Sequence, residues 1–426
     1  MKKPIIGFIG LSHLGICTLL SAASKNYTVY GFDFDSTKVE QYQKKQSKIN
    51  EKNLLKYLTK YSQNIFFSSD FKILSKCDIV YISEDVKTDS RGNSNLNNAN
   101  KYIKKTIKFA NKKAYLVILC QVTPGFTRKI NWPKKKLYYQ VETLIFGNAI
   151  FRASFPERII IGAEFSKFNI NSKFGHYLKA YNCPILPMKY ESAELAKISI
   201  NMLLISNITI ANTLAELCEK IGADWAEIVP SLKLDKRIGK NAYINTGLGL
   251  SGGNLERDLV SAIKLSKKNN LNPKFLETLF YSSEIHKNWV LNIVNKKKLN
   301  LNKDSKIAIL GLSYKEGTHS IKNSPAVNLI KNISFKNIFC YDPVADLSHT
   351  SLDIVRCDNI NDTIYESEIL ILMTNWDEFS KISKKILFSL MKGRTIIDPF
   401  GILKKLKLNN YGFKYYTKGK ELKNGK

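Results

Sequence analysis

The chain has 426 residues, 44% of them hydrophobic and 24% charged, the proportions of a soluble globular protein long enough for two or three domains. Its formal net charge is +30, but the lysines are spread along the chain among many asparagines, which reads as a compositional bias and not as a nucleic-acid-binding arm. Seven cysteines, with no Cys-x-x-Cys pair and no clustering with histidines, exclude a disulfide framework and a structural zinc site and indicate a reducing compartment. The start imitates a secretory signal, but glycines interrupt its apolar run. No stretch reads as apolar over the length of a bilayer, so a cytoplasmic protein without membrane insertion is expected.

In chain order, Pro4–Ile9 predicts a buried strand and Ile16–Ala23 a helix, with Gly10-Leu-Ser-His-Leu-Gly15 between them. Tyr27–Phe32 predicts a second strand, closing on Asp33. This is the strand–turn–helix–strand of a dinucleotide fold, with a pyrophosphate on the helix N-terminus and an acid at the ribose. The cofactor residues are then Gly10, Ser12, His13, Leu14 and Gly15 at the turn, and Asp33 and Lys38 beyond the second strand, with Asp33 favouring NAD over NADP. Ser12 stands at the middle glycine position, where a side chain crowds the approach to the pyrophosphate.

Cys77–Ser83 and Ala114–Cys120 predict further strands, Leu144–Arg152 a helix and Ile159–Gly162 a short strand, with the first domain ending near Pro187. Gln121 follows the strand ending at Cys120, on the sheet edge where open parallel sheets bind ligands.

Ser192–Ile221 is the longest helical pattern, with Ser192 as its cap and Glu194 in its first turn. It is apolar nearly all round, so it should be buried, and a homodimer through this helix is expected. Lys197 and Asn201 share one face of it and need partners or a task; the competing reading is a lysine that carries its head to solvent.

Asn245–Asp258 holds glycines at 247, 249, 252 and 253, too many for a helix or a central strand. Such a loop lets the main chain approach a ligand closely, and Asn254, Arg257 and Asp258 put polar chemistry directly after it. A surface linker is the competing reading, opposed by the interleaved Leu248, Leu250 and Leu255. Asn272-Pro273 opens a helix that runs through Trp289 to Asn295, and Lys296–Ser305 reads as a linker. Beyond it, strands at Lys306–Leu310, Ile338–Tyr341, Ile369–Thr374 and Thr395–Asp398, a loop at Gly311–Gly317 and a helix from Ser324-Pro325 form a second doubly wound unit. The basic tail after Tyr415 reads as a solvated end. The fold class is α/β, with two Rossmann-like doubly wound domains (1–187 and 301–426) joined by a central helical region (188–300).

Together these segments resemble the nucleotide-sugar 6-dehydrogenases, the family of UDP-glucose and GDP-mannose dehydrogenases. The likeness rests on the N-terminal turn, Val122-Thr-Pro-Gly125, the Ala193-Glu-Leu-x-Lys197-x-x-x-Asn201 helix, the glycine loop and Gly311-Leu-x-Tyr-Lys315, in that order along nearly the whole chain. The resemblance implies an NAD cofactor, a central dimer interface and a C-terminal domain that grips the nucleotide. It also implies oxidation of a sugar C6 alcohol to an acid in two steps, through a cysteine thiohemiacetal. By the same resemblance Lys197 stabilises oxyanions with Asn201 as partner, and Glu142 does acid–base or water-ordering work. Asp258 helps to activate the hydrolytic water, Lys315 contacts substrate, and Gly247, Gly249, Gly252 and Arg257 belong to the substrate loop. A metal is not implied.

The chain departs from that pattern at one function. Asn254 stands where the family has its catalytic cysteine, and an amide forms no thiohemiacetal. Gln121 replaces an active-site threonine, Ile145 and Phe146 replace an arginine and a glutamate, and Lys322 replaces an arginine near the substrate. Cys120 is the one cysteine placed to substitute, against the reading of a small packed residue. The implied activity is hydride transfer at C6 of a UDP-sugar, with completion to the acid in doubt. The alternatives are a redox-neutral, epimerase-like enzyme, a 3-hydroxyacid or 6-phosphogluconate type of dehydrogenase, and a non-catalytic nucleotide-sugar-binding paralogue.

Overall fold

The structure, a computed structural model, describes residues 2–89, 94–296, 299, 302–348 and 350–421. The chain divides into two compact units, Met1–Ile200 and Asn201–Lys426.

In the first unit the strands of the main sheet are β1 (Ile6–Ile9), β2 (Val29–Phe32), β3 (Ile65–Ser68), β4 (Ile79–Ile82), β5 (Tyr115–Ile118), β6 (Leu137–Gln140), β7 (Ile159–Ala163) and β8 (Ile185–Lys189). They form one sheet in the order β8-β7-β6-β5-β4-β1-β2-β3, parallel except for β6 against β7. The run from β3 to β6 is the doubly wound order with its switch point between β1 and β4. Register is even there: Ile6 lies opposite Val29 and Ile79, Ile9 opposite Phe32 and Ile82. β1 and β4 are buried throughout, as strands covered on both faces must be.

The helix α1 (His13–Ser24) follows β1, and Gly15 lets it lie close: a Cβ there would fall 1.8 Å from the Gly10 carbonyl oxygen. The expected helix over Leu144–Arg152 is shorter and later, α2 at Ala149–Ser154, because residues 142–148 form a loop held by side-chain acceptors. The sheet runs past the expected boundary at Pro187, since β8 pairs with β7 as far as Lys189.

β8 leads directly into α3 (Tyr190–Ile221), so Ser192 lies inside the helix and is not its cap. Glu194 does not serve the helix terminus either. Its buried carboxylate accepts from the N–H groups of Gly125 (2.6 Å) and Thr127 (2.8 Å), fixing the turn after β5. The expectation of burial all round is corrected too. Ala193, Glu194, Lys197, Ile198, Asn201 and Ile205 bury one face, while Leu203, Ile210, Leu214, Leu217 and Ile221 are exposed. α3 is also long and apolar enough to cross a membrane by length and composition, with 33% of its apolar window buried, contrary to the reading that no stretch reaches that length.

In the second unit, β9 (Ile307–Leu310), β10 (Ile338–Tyr341), β11 (Val355–Arg356), β12 (Ile369–Leu372), β13 (Thr395–Ile397) and β14 (Lys414–Tyr416) form a parallel sheet in the order β11-β10-β9-β12-β13-β14. This repeats the doubly wound order, as the strand pattern predicts. The helices ahead of it are α4 (Trp225–Leu234), α5 (Asn254–Lys268), α6 (Lys274–Lys287) and α7 (Trp289–Lys296). The expected single helix through Trp289 is broken at Asn288, whose backbone (φ −86, ψ 4) leaves the helical region. α8 (Pro325–Asn332) starts as expected, with the Ser324 hydroxyl accepting from Ala326 N–H at 3.2 Å. The expected linker Lys296–Ser305 lies partly outside the described residues. The tail after Tyr415 is not solvated at its start: Tyr416, Thr417 and Lys418 are buried, Lys420 and Glu421 are exposed, and residues 422–426 lie outside the described residues.

Replacing Glu194 by alanine leaves the buried Thr127 N–H and the half-buried Gly125 N–H without their acceptor, so Glu194→Ala should cost about 2 kcal/mol of stability. A urea titration that places the variant's midpoint at the parent value would remove this role.

Candidate active site

The glycine turn after β1 is built by three carboxylates. Gly10 adopts φ +94, and a Cβ there would meet the main chain and side chain of Glu84. Asp33, buried at the end of β2, accepts from Leu11 N–H (2.8 Å), Lys38 Nζ (2.8 Å), Asp35 N–H (3.1 Å) and the Tyr102 hydroxyl (3.1 Å). Asp85 accepts from Leu14 N–H at 3.2 Å, in the first turn of α1. Ser12 turns its hydroxyl to the segment after β4, donating to Ser83 O (3.2 Å) and accepting from Asp85 N–H (2.8 Å).

Ser12, Asp33, Phe34, Lys38, Glu84 and Tyr102 line a cavity of about 680 Å³ at this sheet edge. It suits a dinucleotide. The acid and lysine stand where a ribose lies, and an anion already occupies a first-turn N–H of α1, where a pyrophosphate takes its place. Glu84 Oε2 is buried and no donor among the described residues reaches it; burial pushes this carboxyl above its usual range.

His13 faces away from that cavity into a second cluster. Its ring stacks on Phe146 at 4.2 Å between centroids, and its Nε2 lies 2.8 Å from Glu51 Oε2. Glu51 also accepts from Gly147 N–H and Ala149 N–H, each at 2.9 Å. Burial pushes the Glu51 carboxyl up, but the imidazole and the two N–H groups outweigh it and hold the acid below its ordinary value. Cys17 completes a group with His13 and Glu51 whose ligand-type atoms lie within 4.8 Å of one another, which corrects the reading that no cysteine clusters with a histidine. The cue was visible as a His13/Cys17 pair one helical turn apart; Glu51 was not. Burial, ahead of the nearby Glu51 and Asp85 carboxylates, pushes the Cys17 thiol well above its usual range.

On α3, Lys197 is nearly buried and its Nζ lies 3.1 Å from Glu142 Oε1, so the reading of a lysine reaching for solvent is overturned. Glu142 is aimed by its other oxygen, which accepts from Leu144 N–H at 2.8 Å. One turn along, Asn201 donates through Nδ2 to Asp258 Oδ2. Asp258 is wholly buried, and its Oδ1 lies 3.1 Å from Nε of Arg257, itself buried. Arg257, expected at the substrate, here braces Asp258. Gln121, past the end of β5, is half-buried.

The glycine loop is shaped by protein neighbours. Gly249 (φ +71) has no room for a Cβ beside Ser283 O (2.4 Å), and at Gly252 (φ +79) a Cβ would strike the Tyr314 ring at 2.5 Å. Leu250 N–H donates to Ser283 Oγ (2.7 Å), Gly252 N–H to Lys322 O (3.1 Å) and Ser251 Oγ to Tyr314 O (3.1 Å). Gly247 N–H donates to Asn212 Oδ1 at 2.9 Å. So the loop is packed, not a linker. Lys322 passes beside Gly253, Lys315 is half-buried near the Tyr314 ring, and Asn254 is exposed as the first residue of α5. Cys120 is wholly buried, and burial pushes its thiol up to about 12.

Fold and cofactor edge together define an NAD-using oxidoreductase of the doubly wound class. Models of the three domains of one family match successive segments: the NAD binding domain at residues 4–173, the central domain at 191–282 and the UDP binding domain at 308–405. The UDP-glucose 6-dehydrogenase of Rickettsia bellii is 30% identical over 436 residues, covering 98% of this chain and 100% of that protein. Among solved structures, a UDP-glucose dehydrogenase from Pyrobaculum islandicum superposes with a TM-score of 0.85 at 20% identity, covering 99% of this chain and 98% of its own. A UDP-D-ManNAc dehydrogenase from Pyrococcus horikoshii gives 0.84 at 20% identity, covering 98% and 100%. The chain belongs to the UDP-glucose/GDP-mannose dehydrogenase family, and NAD is its cofactor.

Glu51 sets a pH dependence. Its folded pKa lies below the unfolded value, so the stabilisation is complete above about pH 4.5 and lost as pH falls through the folded value. Glu51→Gln should therefore melt lower than the parent at pH 7, with the gap closing as the pH is taken progressively below about 4.5; a gap that stays constant with pH would exclude this linkage.

Proposed function

We propose that this protein oxidises the C6 alcohol of a UDP-hexose to the aldehyde, yielding one NADH per sugar. The observation that carries the reading is the Lys197–Glu142 pair, a cation and a base 3.1 Å apart and largely shielded from water. Bound NAD supplies the hydride acceptor. Glu142 accepts the hydroxyl proton, and the Lys197 ammonium stabilises the alkoxide as it forms, an interaction stronger in the transition state than in the ground state. The glycine loop, Lys315 and Lys322 hold the sugar nucleotide, with Lys322 giving a point charge in place of a bidentate arginine. The name of the Rickettsia bellii relative and the matched UDP binding domain support UDP as the carrier.

The stop at the aldehyde follows from the missing thiol. Asn254 stands at the position that the resemblance gives to the nucleophile, and the buried, fully protonated Cys120 does not replace it. Asn201 and Arg257 hold Asp258 ready to orient a water, but there is no thioester for that water to attack. The three matched segments support a functional division into cofactor (1–187), central (188–300) and nucleotide (301–426) parts.

NADH counted per UDP-hexose consumed should be one. Two would establish the acid as product, and none with an altered sugar would establish redox-neutral chemistry. Lys197→Met should lose turnover by at least about a hundredfold while NAD affinity stays within a factor of about two; unchanged turnover would remove Lys197 from the site.

We further propose that two copies associate through α3. Leu203, Ile210, Leu214, Leu217 and Ile221 are exposed at steps of seven, four, three and four residues, the spacing of a helix–helix seam. Sedimentation should give a dimer for the parent and a monomer for Leu203→Glu/Leu217→Glu; a monomeric parent at micromolar concentration would end this proposal.

A further inference from the structure

The C-terminal segment threads back into the second unit. The Lys418 side chain is fully buried there (0% exposed). Its Nζ lies 3.1 Å from the carbonyl oxygen of Gly247, 3.6 Å from Glu216 Oε1 and 3.4 Å from His286 Nδ1. The flanking main chain is pinned on both sides. Gly419 N–H donates to Glu219 Oε1 (3.0 Å), Trp225 N–H donates to Gly419 O (2.8 Å), and Asp224 forms a bridge with Lys420. Gly419 needs its φ of +81 and its lack of a side chain, since a Cβ would lie 2.8 Å from that of Trp225.

A lysine normally keeps its ammonium in water, and burying it is costly without compensation. The titratable groups around it are Glu216 and Glu219 from α3 and His286 from α6, whose Nδ1 also lies 2.8 Å from Glu216 Oε1. Further out, Asp224 is paired with Lys404 (3.0 Å) and Lys420 (3.6 Å). Among the described residues the Gly247 carbonyl is the main-chain acceptor that Lys418 takes, and Gly247 N–H is held by the buried Asn212. Both main-chain polar groups of the first loop glycine are thus fixed by buried side chains.

We propose that Lys418 is a positioning residue, whose ammonium holds the Gly247 carbonyl and so keeps the glycine loop in the shape that receives the nucleotide sugar. The inference rests on the reading of that loop as the sugar-nucleotide site. Burial draws the Lys418 pKa down to about 8, against the pull of Glu216 and Glu219, so the hold weakens within a range an assay reaches.

The test uses the full chain with NAD and UDP-glucose. Lys418→Met should raise KM for UDP-glucose about tenfold, with kcat and the NAD Kd little changed, and Lys418→Arg should recover part of the loss. In the parent, KM for UDP-glucose should climb between pH 7 and 9.5, and that climb should vanish in Lys418→Met. A methionine variant with parental KM, or one whose KM keeps the parental pH profile, overturns the proposal. Should that variant fail to fold, amide exchange of residues 247–253 in the parent decides. Corrected for the intrinsic rate, protection should fall above pH 8, and protection flat across that range overturns the proposal. If the parent neither binds UDP-glucose nor reduces NAD, the functional reading fails, and the exchange measurement still judges the hold of Lys418 on the loop.

Discussion

Each sheet depends on one carboxylate that ties the end of its second strand to the glycine turn after its first. In the first unit Asp33 receives Leu11 N–H at 2.8 Å; in the second Asp342 receives Leu312 N–H at 2.8 Å. The turns share the residues Gly-Leu-Ser, at 10–12 and 311–313, and both glycines adopt the same conformation, φ +94 and φ +95. In each a Cβ would strike the chain after the fourth strand, at Glu84 in one and Thr374 in the other. The physical requirement is common to both: a switch point opens only if the first strand's exit turns sharply, and a buried acid at the neighbouring strand end satisfies the N–H groups this turn exposes.

From that device the two units diverge in charge. Asp33 faces a cavity and pairs with a lysine on its rim, whereas Asp342 is consumed by its own unit. It takes Leu312 N–H, Ser313 N–H, Val344 N–H, Ala345 N–H and the Trp376 indole. Asp33 also takes four protein donors, but one of them is the charged Lys38, whereas every described donor to Asp342 is neutral, as suits a structural anchor.

The residues proposed for the reaction divide in the same way. Lys197 with Glu142 forms a cation–base pair in the first unit, and Asp258 is a braced carboxylate in the second. Against the pattern of the resembled family, Asn254 stands at the thiol position, and Ile145 and Phe146 take charges off the loop after β6. His13 stacking on Phe146, and Glu51 capping Gly147 and Ala149, give that loop a packed apolar and hydrogen-bonded support in place of charge. The glycine loop is similarly supported from behind by Ser283, Tyr314 and Asn212.

Local pattern alone determined much of this protein. The strand–turn–helix–strand ending in Asp33, the second doubly wound unit and the long α3 could all be read from apolar periodicity and from the placement of glycines and charges, since these are short-range constraints. Tertiary structure decided the rest. The edge strands β3 and β8 and the interior strand β6 lack a distinctive pattern, and Ser192 became an interior residue only because β8 runs straight into α3. Glu51 and Lys418 read as ordinary surface charges, because the groups that compensate them lie far away in the chain: Gly147 and Ala149 for one, Glu216, Gly247 and His286 for the other. Burying a charge is a cost that only long-range neighbours can offset, and a linear sequence does not show which neighbours arrive.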